Sequence, residues 1–223
     1  MMMRRFCTRT LAMVSLLAFS GLLAAQEPEV CAPFRDGTVD SSLLETMLSA
    51  AREGYLYRIE QGTSQVGFCV DTKVSHIEGH FHDFQGGMAL KTGDHADGQT
   101  MVMIKTSSLD TEGLVIRNMI KGEQFFDVEH YPEIRFISHE FHWTGSDSAL
   151  LTGDLTLRGI TKPVQFEVTV TPVNGTRVGK TQKILVKATT TINRVEFGMT
   201  GLSTLVNSEV QLCLTVEALK YVI

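Results

Sequence analysis

RNMIKGEQFFDVEHYPEIRFIS (117–138), continued by GDLTLRGITKPVQFEVTV (153–170), joins a short helical piece to strands that are oily on one face. Ile134, Phe136, Leu155, Leu157, Val164, Phe166, Val168 and Val170 recur with period two, the mark of half-buried antiparallel strands. The pairs Phe125-Phe126 and Tyr131-Pro132 stand where the helix hands over to a strand. Outward from this core, strand signals continue in YRIEQGTSQVGFCVDT, KVSHIEGHFHDF, GGMALK, QTMVMIKTSS, EIRFISHEFHW, ALLTGDLTLRG, KILVKATTTI and NSEVQLCLTVEAL. Turns are marked by Gly93-Asp94, Asp97-Gly98, Gly145-Ser146-Asp147, Gly159 and Asn174-Gly175. Helical interruptions are expected between Thr111 and Lys121 and as a short turn near Gly201 to Val206. The fold class is therefore all-β, an antiparallel barrel of about eight strands, because closure removes the sticky edges of an open sheet. Such a barrel can hold one ligand inside.

The first 25 residues read as a secretory signal peptide. Arg4, Arg5 and Arg9 precede an uncharged apolar run from Leu11 to Leu23, and cleavage is expected after Ala25. That run is 13 residues long, short of the roughly 20 that span a bilayer, and no second run follows. A soluble periplasmic protein is expected. Its net charge would be −8, from 17 basic and 25 acidic residues, which argues against a nucleic-acid partner. Residues 26–54 form an extension in which DSSLLETMLSAAREG is a helix, with Leu43, Leu44, Met47, Leu48 and Ala51 as its apolar stripe and Gly54 as its stop. That helix either packs on the barrel or closes one of its mouths. Residues 55–223 supply the barrel.

Cys31, Cys69 and Cys213 remain after processing, an odd number that permits at most one internal bridge. Cys69 and Cys213 fall on the outer faces of the first and last strands, which are neighbours in a closed barrel. A Cys69–Cys213 bridge is open to them, while a bridge to Cys31 is preferred because the extension gains most from a tether; the remaining alternative is three unpaired thiols. His76, His80 and His82 share one outward face with Glu78, either as a metal-binding stripe or as a solvated polar face. Nucleophile-elbow, zinc-protease, phosphate-loop and haem-attachment motifs are all missing, so an enzyme is not expected.

Arg117, Phe125-Phe126-Asp127, Tyr131-Pro132, Phe136 and Ser138 are followed in order by Gly153, Leu155-Thr156, Gly159, Thr161 and Val164. Ile192-Asn193-Arg194 and Phe197-Gly198 come next, and Val66, Phe68, Gly79, Phe81, Phe84 and Gly86 agree upstream. This series resembles the YceI-like family of exported lipocalin-like barrels over about Tyr55 to Leu219. The resemblance implies a lipid-binding protein that holds a long-chain isoprenoid, either a polyprenyl phosphate or pyrophosphate or an isoprenoid quinone, or a similar amphiphile. No cofactor beyond that lipid is implied. The family's histidine after the first strand is replaced here by Val70-Asp71-Thr72-Lys73, so no role of that histidine carries over. A homodimer is compatible with the resemblance, although no residue fixes an interface. The other reading is a structural or stress-response envelope protein with an incidental cavity.

Apolar lining candidates are Phe68, Phe81, Phe84, Phe125, Phe126, Ile134, Phe136, Phe166, Phe197 and Leu212, each of which either meets the lipid or fills the core. Arg117 and Arg194 are the candidates for a phosphate head, since a guanidinium binds phosphate oxygens in bidentate fashion. Their competing role is structural, pairing with an acid such as Asp127 or Glu196 to lock a loop.

Overall fold

The alternation of residues 133–170 becomes three long strands in a computed structural model that describes residues 41–91, 98–174, 178 and 180–223. They are β7 (Glu133–Trp143), β8 (Ser148–Leu157) and β9 (Ile160–Pro172), followed by β10 (Lys183–Asn193) and β11 (Glu209–Tyr221). Three further wall strands are each broken in two. β1 (Leu56–Ile59) and β2 (Gln65–Asp71) both pair with β11. β3 (His76–Phe81) pairs with β2, and β4 (Phe84–Leu90) with β1. β5 (Gly98–Lys105) pairs with β4 and β7, while β6 (Leu109–Thr111) extends the same wall strand against β3. The result is a closed antiparallel barrel of eight wall strands, sealed by the pairing of β1 with β11.

The segment expected as one opening strand is thus interrupted, at Gln61–Thr63. The physical cause lies in the next residue: Ser64 Oγ donates to Glu60 O at 2.6 Å and accepts from Glu217 N at 3.0 Å. A side chain thereby replaces one rung of the backbone ladder, and the wall bends there. A second irregularity is a bulge in β7 between Ser138 and Glu140. It resets the inward phase from Ile134, Phe136 and Ser138 to Phe141, which is buried at 7% exposure.

The β8–β9 hairpin turns on Arg158 and Gly159 with φ of +52° and +69°, so both central residues are left-handed as in a two-residue type I′ turn. The Arg158 guanidinium donates to Glu123 O at 2.6 Å and to Phe125 O, and it lies over the Tyr131 ring at 5.4 Å. This turn therefore fastens the hairpin to the connection between α2 (Leu114–Lys121) and β7, which makes the helix and the strands one corner.

α1 (Ser41–Glu53) lies on the outer wall and not across a mouth. Its buried Leu43, Met47, Ala50 and Ala51 pack on Leu56, Ala89, Met101 and Met103, with Leu44 and Leu48 at the margin. Gly54 ends the helix at φ +75°. The covered patch explains why QTMVMIK is apolar on both faces: Val102 and Ile104 face inward while Met101 and Met103 meet α1.

Cys69 and Cys213 are on the outside as expected, and both are unbridged. Their register is offset, since Cys69 faces Gln211 and Cys213 faces Gly67. Cys69 Sγ lies 3.4 Å from Gln211 Oε1, and burial, then the nearby Cys213, pushes its thiol above the ordinary value. Cys31 and the signal segment lie outside the described residues.

Candidate functional site

Inward residues of every wall strand enclose a cavity of about 120 Å³. A single water needs only about 10–15 Å³, so this space is well beyond a packing defect. Its walls are hydrocarbon along the length of the barrel: Val66, Phe68 and Phe81 near α2, Phe136, Leu155, Phe166 and Val168 midway, and Leu90, Phe141 and Val170 near the opposite end. Tyr57, Leu90, Val170 and Ile184, none more than 1% exposed, fill that opposite end, where the Tyr57 hydroxyl donates to Thr181 O at 3.0 Å.

Two rings keep the bore open by resting on glycines. A Cβ on Gly79 would sit 2.4 Å from the Phe68 ring, and one on Gly153 would sit 2.7 Å from the Phe136 ring and 2.5 Å from Ile137 O. Each ring therefore lies against the neighbouring strand instead of projecting across the lumen.

Of the proposed lining residues, Phe68, Phe81, Phe126, Ile134, Phe136, Phe166 and Leu212 face this cavity. Phe84 and Phe197, each 2% exposed, are packed into the wall without bordering it. Phe125 borders a second cavity of about 40 Å³ at the α2 end, with Ile77, Met119, Ile120 and Val206. Phe68, Phe126, Met199 and Val210 line both spaces and form the partition between them. Phe126 meets Phe81 edge-on at 5.6 Å and Phe68 at 5.5 Å.

The two arginines have different partners from those expected. Arg117 pairs with Asp110 at 2.6 Å and borders neither cavity. Arg194 is 2% exposed, and its donors fan out to Met199 O at 2.6 Å, Asn207 O at 2.7 Å and Val206 O at 3.0 Å. This is a clamp on the turn joining β10 to β11, and burial pushes the guanidinium below its ordinary range. Asp127 and Glu196, the acids expected to hold them, instead take His130 at 2.8 Å and Lys162 at 3.2 Å.

Asp127 carries a left-handed φ of +49° at the end of the corner, and its carboxylate raises the His130 imidazole above its ordinary range. A raised folded-state value means that the pair contributes fully below the ordinary histidine value of about 6.5 and fades as pH climbs through the raised one. A ring-proton NMR titration should find His130 above that value in the native protein and near it in Asp127→Asn, whose side chain tolerates the same backbone.

His76, Glu78, His80 and His82 share the outer face as the alternation required. His76 Nδ1 lies 2.6 Å from Asp71, and no trio of metal-ligating side chains converges among the described residues. Sequence reasoning overlooked Leu90, Thr100, Phe141, Leu151 and Met199. For Phe141 the signal was available: its spacing from Phe136 is out of phase with period two, as a bulge requires.

Around the α2 end, apolar side chains are left in the open. Val74, Leu114, Val115, Leu202 and Leu205 are exposed there. The turn at Val74 and the 201–206 turn are neighbours, joined by Lys73 N to Leu205 O at 3.0 Å, and Gly201 N reaches Gln124 O at 3.1 Å.

Comparison with known proteins agrees with this geometry. A family model described as a YceI-like domain matches residues 57–218. A UPF0312 protein of Pseudomonas putida (strain W619) is 37% identical over 142 residues, covering 59% of this chain and 71% of the relative. A UPF0312 protein of Pseudomonas savastanoi pv. phaseolicola is 34% identical over the same length. Among solved structures, the Campylobacter jejuni YCEI protein aligns with a TM-score of 0.58 at 25% identity, covering 66% of this chain and 86% of that one. Burkholderia cenocepacia BcnA aligns with a TM-score of 0.63 at 23% identity over 71% of this chain and 98% of its own, a likeness of fold. A Saccharophagus degradans domain described as polyisoprenoid binding shares the fold at a TM-score of 0.56 and 14% identity, over 74% of this chain and 98% of that one. With the barrel, its Phe125-Phe126 corner and the Asn193-Arg194 turn in the places the motifs require, the chain belongs to the YceI-like family.

Proposed function

We propose that this protein is an exported lipid-binding protein of the periplasm, which holds one long-chain isoprenoid or similar amphiphile in its barrel for storage or transport. The observation that carries the reading is the hydrocarbon-walled lumen, in which a flexible chain can be buried without directional bonds. Each buried methylene contributes about 0.8 kcal/mol, so the hold on the chain grows with every methylene that enters, before the costs of association. The polyisoprenoid-binding description of the Saccharophagus degradans domain, which has the same fold, favours an isoprenoid. Export rests on the charged start and apolar run that precede Ala25. Loading is proposed at the α2 end, where the exposed apolar side chains cluster and the opposite end is filled.

Organic extraction of the purified protein followed by mass spectrometry is the direct test. One long-chain lipid per protein molecule is the expected result; an empty lumen after expression in several hosts would retire the reading. Phe126→Ala, which merges the two cavities, should cost about 3–5 kcal/mol of stability and also release lipid during purification. Lost stability with full lipid recovery would make Phe126 a core residue only.

A further inference from the structure

Thr100 is 4% exposed and, of the described residues that line the large cavity, it alone has a side chain bearing nitrogen or oxygen. Its Oγ1 has no hydrogen-bond partner among the described residues. Ser138 Oγ, itself fully buried, accepts from Thr100 N at 2.7 Å and makes no hydrogen bond to Thr100 Oγ1. A dry, unpaired hydroxyl is a net loss to the protein, and valine would fill the same volume without it. Every other described lining side chain avoids that loss by being hydrocarbon or thioether.

The position of Thr100 says which part of a ligand it would meet. It faces Met88 of β4, one inward layer from Leu90 and the filled end of the barrel, and thus lies deep, far from the α2 corner. No lysine, arginine or histidine lines the large cavity among the described residues, so an ionised phosphate placed there would have no countercharge. A neutral oxygen-bearing group has no such penalty, and a hydroxyl can donate to its carbonyl or accept from its hydroxyl or amide N–H.

We propose that the lumen selects lipids that carry a neutral carbonyl, hydroxyl or amide group, which enters first and hydrogen-bonds the Thr100 hydroxyl at the deep end, once rotation about Cα–Cβ brings that covered oxygen to the cavity surface. This rests on the lipid-binding reading and sharpens it: a phosphate-bearing head would have to stay outside the large cavity, while a ketone, quinone, alcohol or amide head goes in.

The test uses delipidated full-length protein, the variant Thr100→Val, and three probes of one chain length: oleyl alcohol, oleamide and octadecene, which lacks oxygen. Displacement of a fluorescent fatty probe gives each affinity, and the ratio of oxygenated probe to octadecene is compared between the two proteins so that differences in aqueous solubility cancel. The ratio should fall about five-fold in Thr100→Val, the worth of one neutral hydrogen bond, with octadecene affinity unchanged. An identical ratio in both proteins, with all three probes bound, overturns the role of Thr100 and leaves lipid binding standing. Failure of all three probes to bind the unmodified protein overturns both. A drop in thermal stability of lipid-free Thr100→Val also counts against the proposal, since it would mean that the hydroxyl already has a partner within the protein.

Discussion

Replacing Arg194 by methionine is expected to lower the stability of the fold by about 3–5 kcal/mol, measured by urea denaturation. The guanidinium is the donor to three carbonyls, those of Met199, Val206 and Asn207, and methionine offers none of them a hydrogen. Each acceptor buried without a partner costs about 1–3 kcal/mol, and relief of the buried cation's own desolvation keeps the net effect toward the lower part of that sum. For a domain of this size the midpoint of thermal unfolding should drop by roughly 2–4 °C per kcal/mol. Arg194→Lys should recover only part of the loss, because one ammonium cannot present donors along three diverging directions from one fixed plane. Arg117→Gln is the useful comparison: its ion pair with Asp110 is partly solvated, and its removal should cost about 1 kcal/mol or less. Equal and small effects of the two substitutions would mean that the turn between β10 and β11 does not depend on Arg194.

The second large effect concerns the lumen. Val168→Trp should abolish retention of a long-chain lipid while leaving the barrel folded. Val168 faces the cavity, and its register partners on the adjoining strands are Ala149 and Ala188, so the wall has room for a larger base and the indole projects into the bore. Excluding even three methylenes of the guest removes about 2.4 kcal/mol, close to a 50-fold loss of affinity. Circular dichroism would establish that the sheet persists, and extraction with mass spectrometry would count the lipid. Full occupancy in a folded Val168→Trp protein would show that the guest sits somewhere other than the barrel.

The fold was legible because period two leaves little freedom: once Ile134, Phe136, Leu155 and Phe166 share a face, the outer positions of Cys69, Cys213 and the histidine stripe follow from the pleat. Parity could not report depth. Phe84 has the inward phase of a lining residue and is packed into the wall, and Phe197 is buried on the short helical turn 194–197, whereas Phe126, from a corner with no strand phase, faces the cavity. Thr100 was hidden for a related reason. In QTMVMIK the outward methionines are as apolar as the inward valine, because α1 covers them, so polarity gave no face and nothing singled out the one hydroxyl. Partners of charged groups were the least legible. Arg117 reaches back to Asp110 on the strand before its own helix, and Arg194 uses carbonyls in preference to any carboxylate, so which acids lay near in sequence carried no information.

The glycines under Phe68 and Phe136 make the calibre of this barrel a property of two missing methyl groups. At Gly79 a single added carbon would meet the Phe68 ring and tip it inward, so a change too small to disturb the wall would be amplified by the length of a benzyl arm into a large change of bore. At Gly153 the same carbon would also strike the carbonyl of Ile137, and there the wall itself must yield. Relatives with the same strands could therefore accept guests of quite different girth through the first of these positions, while the second is tied to the integrity of the staves.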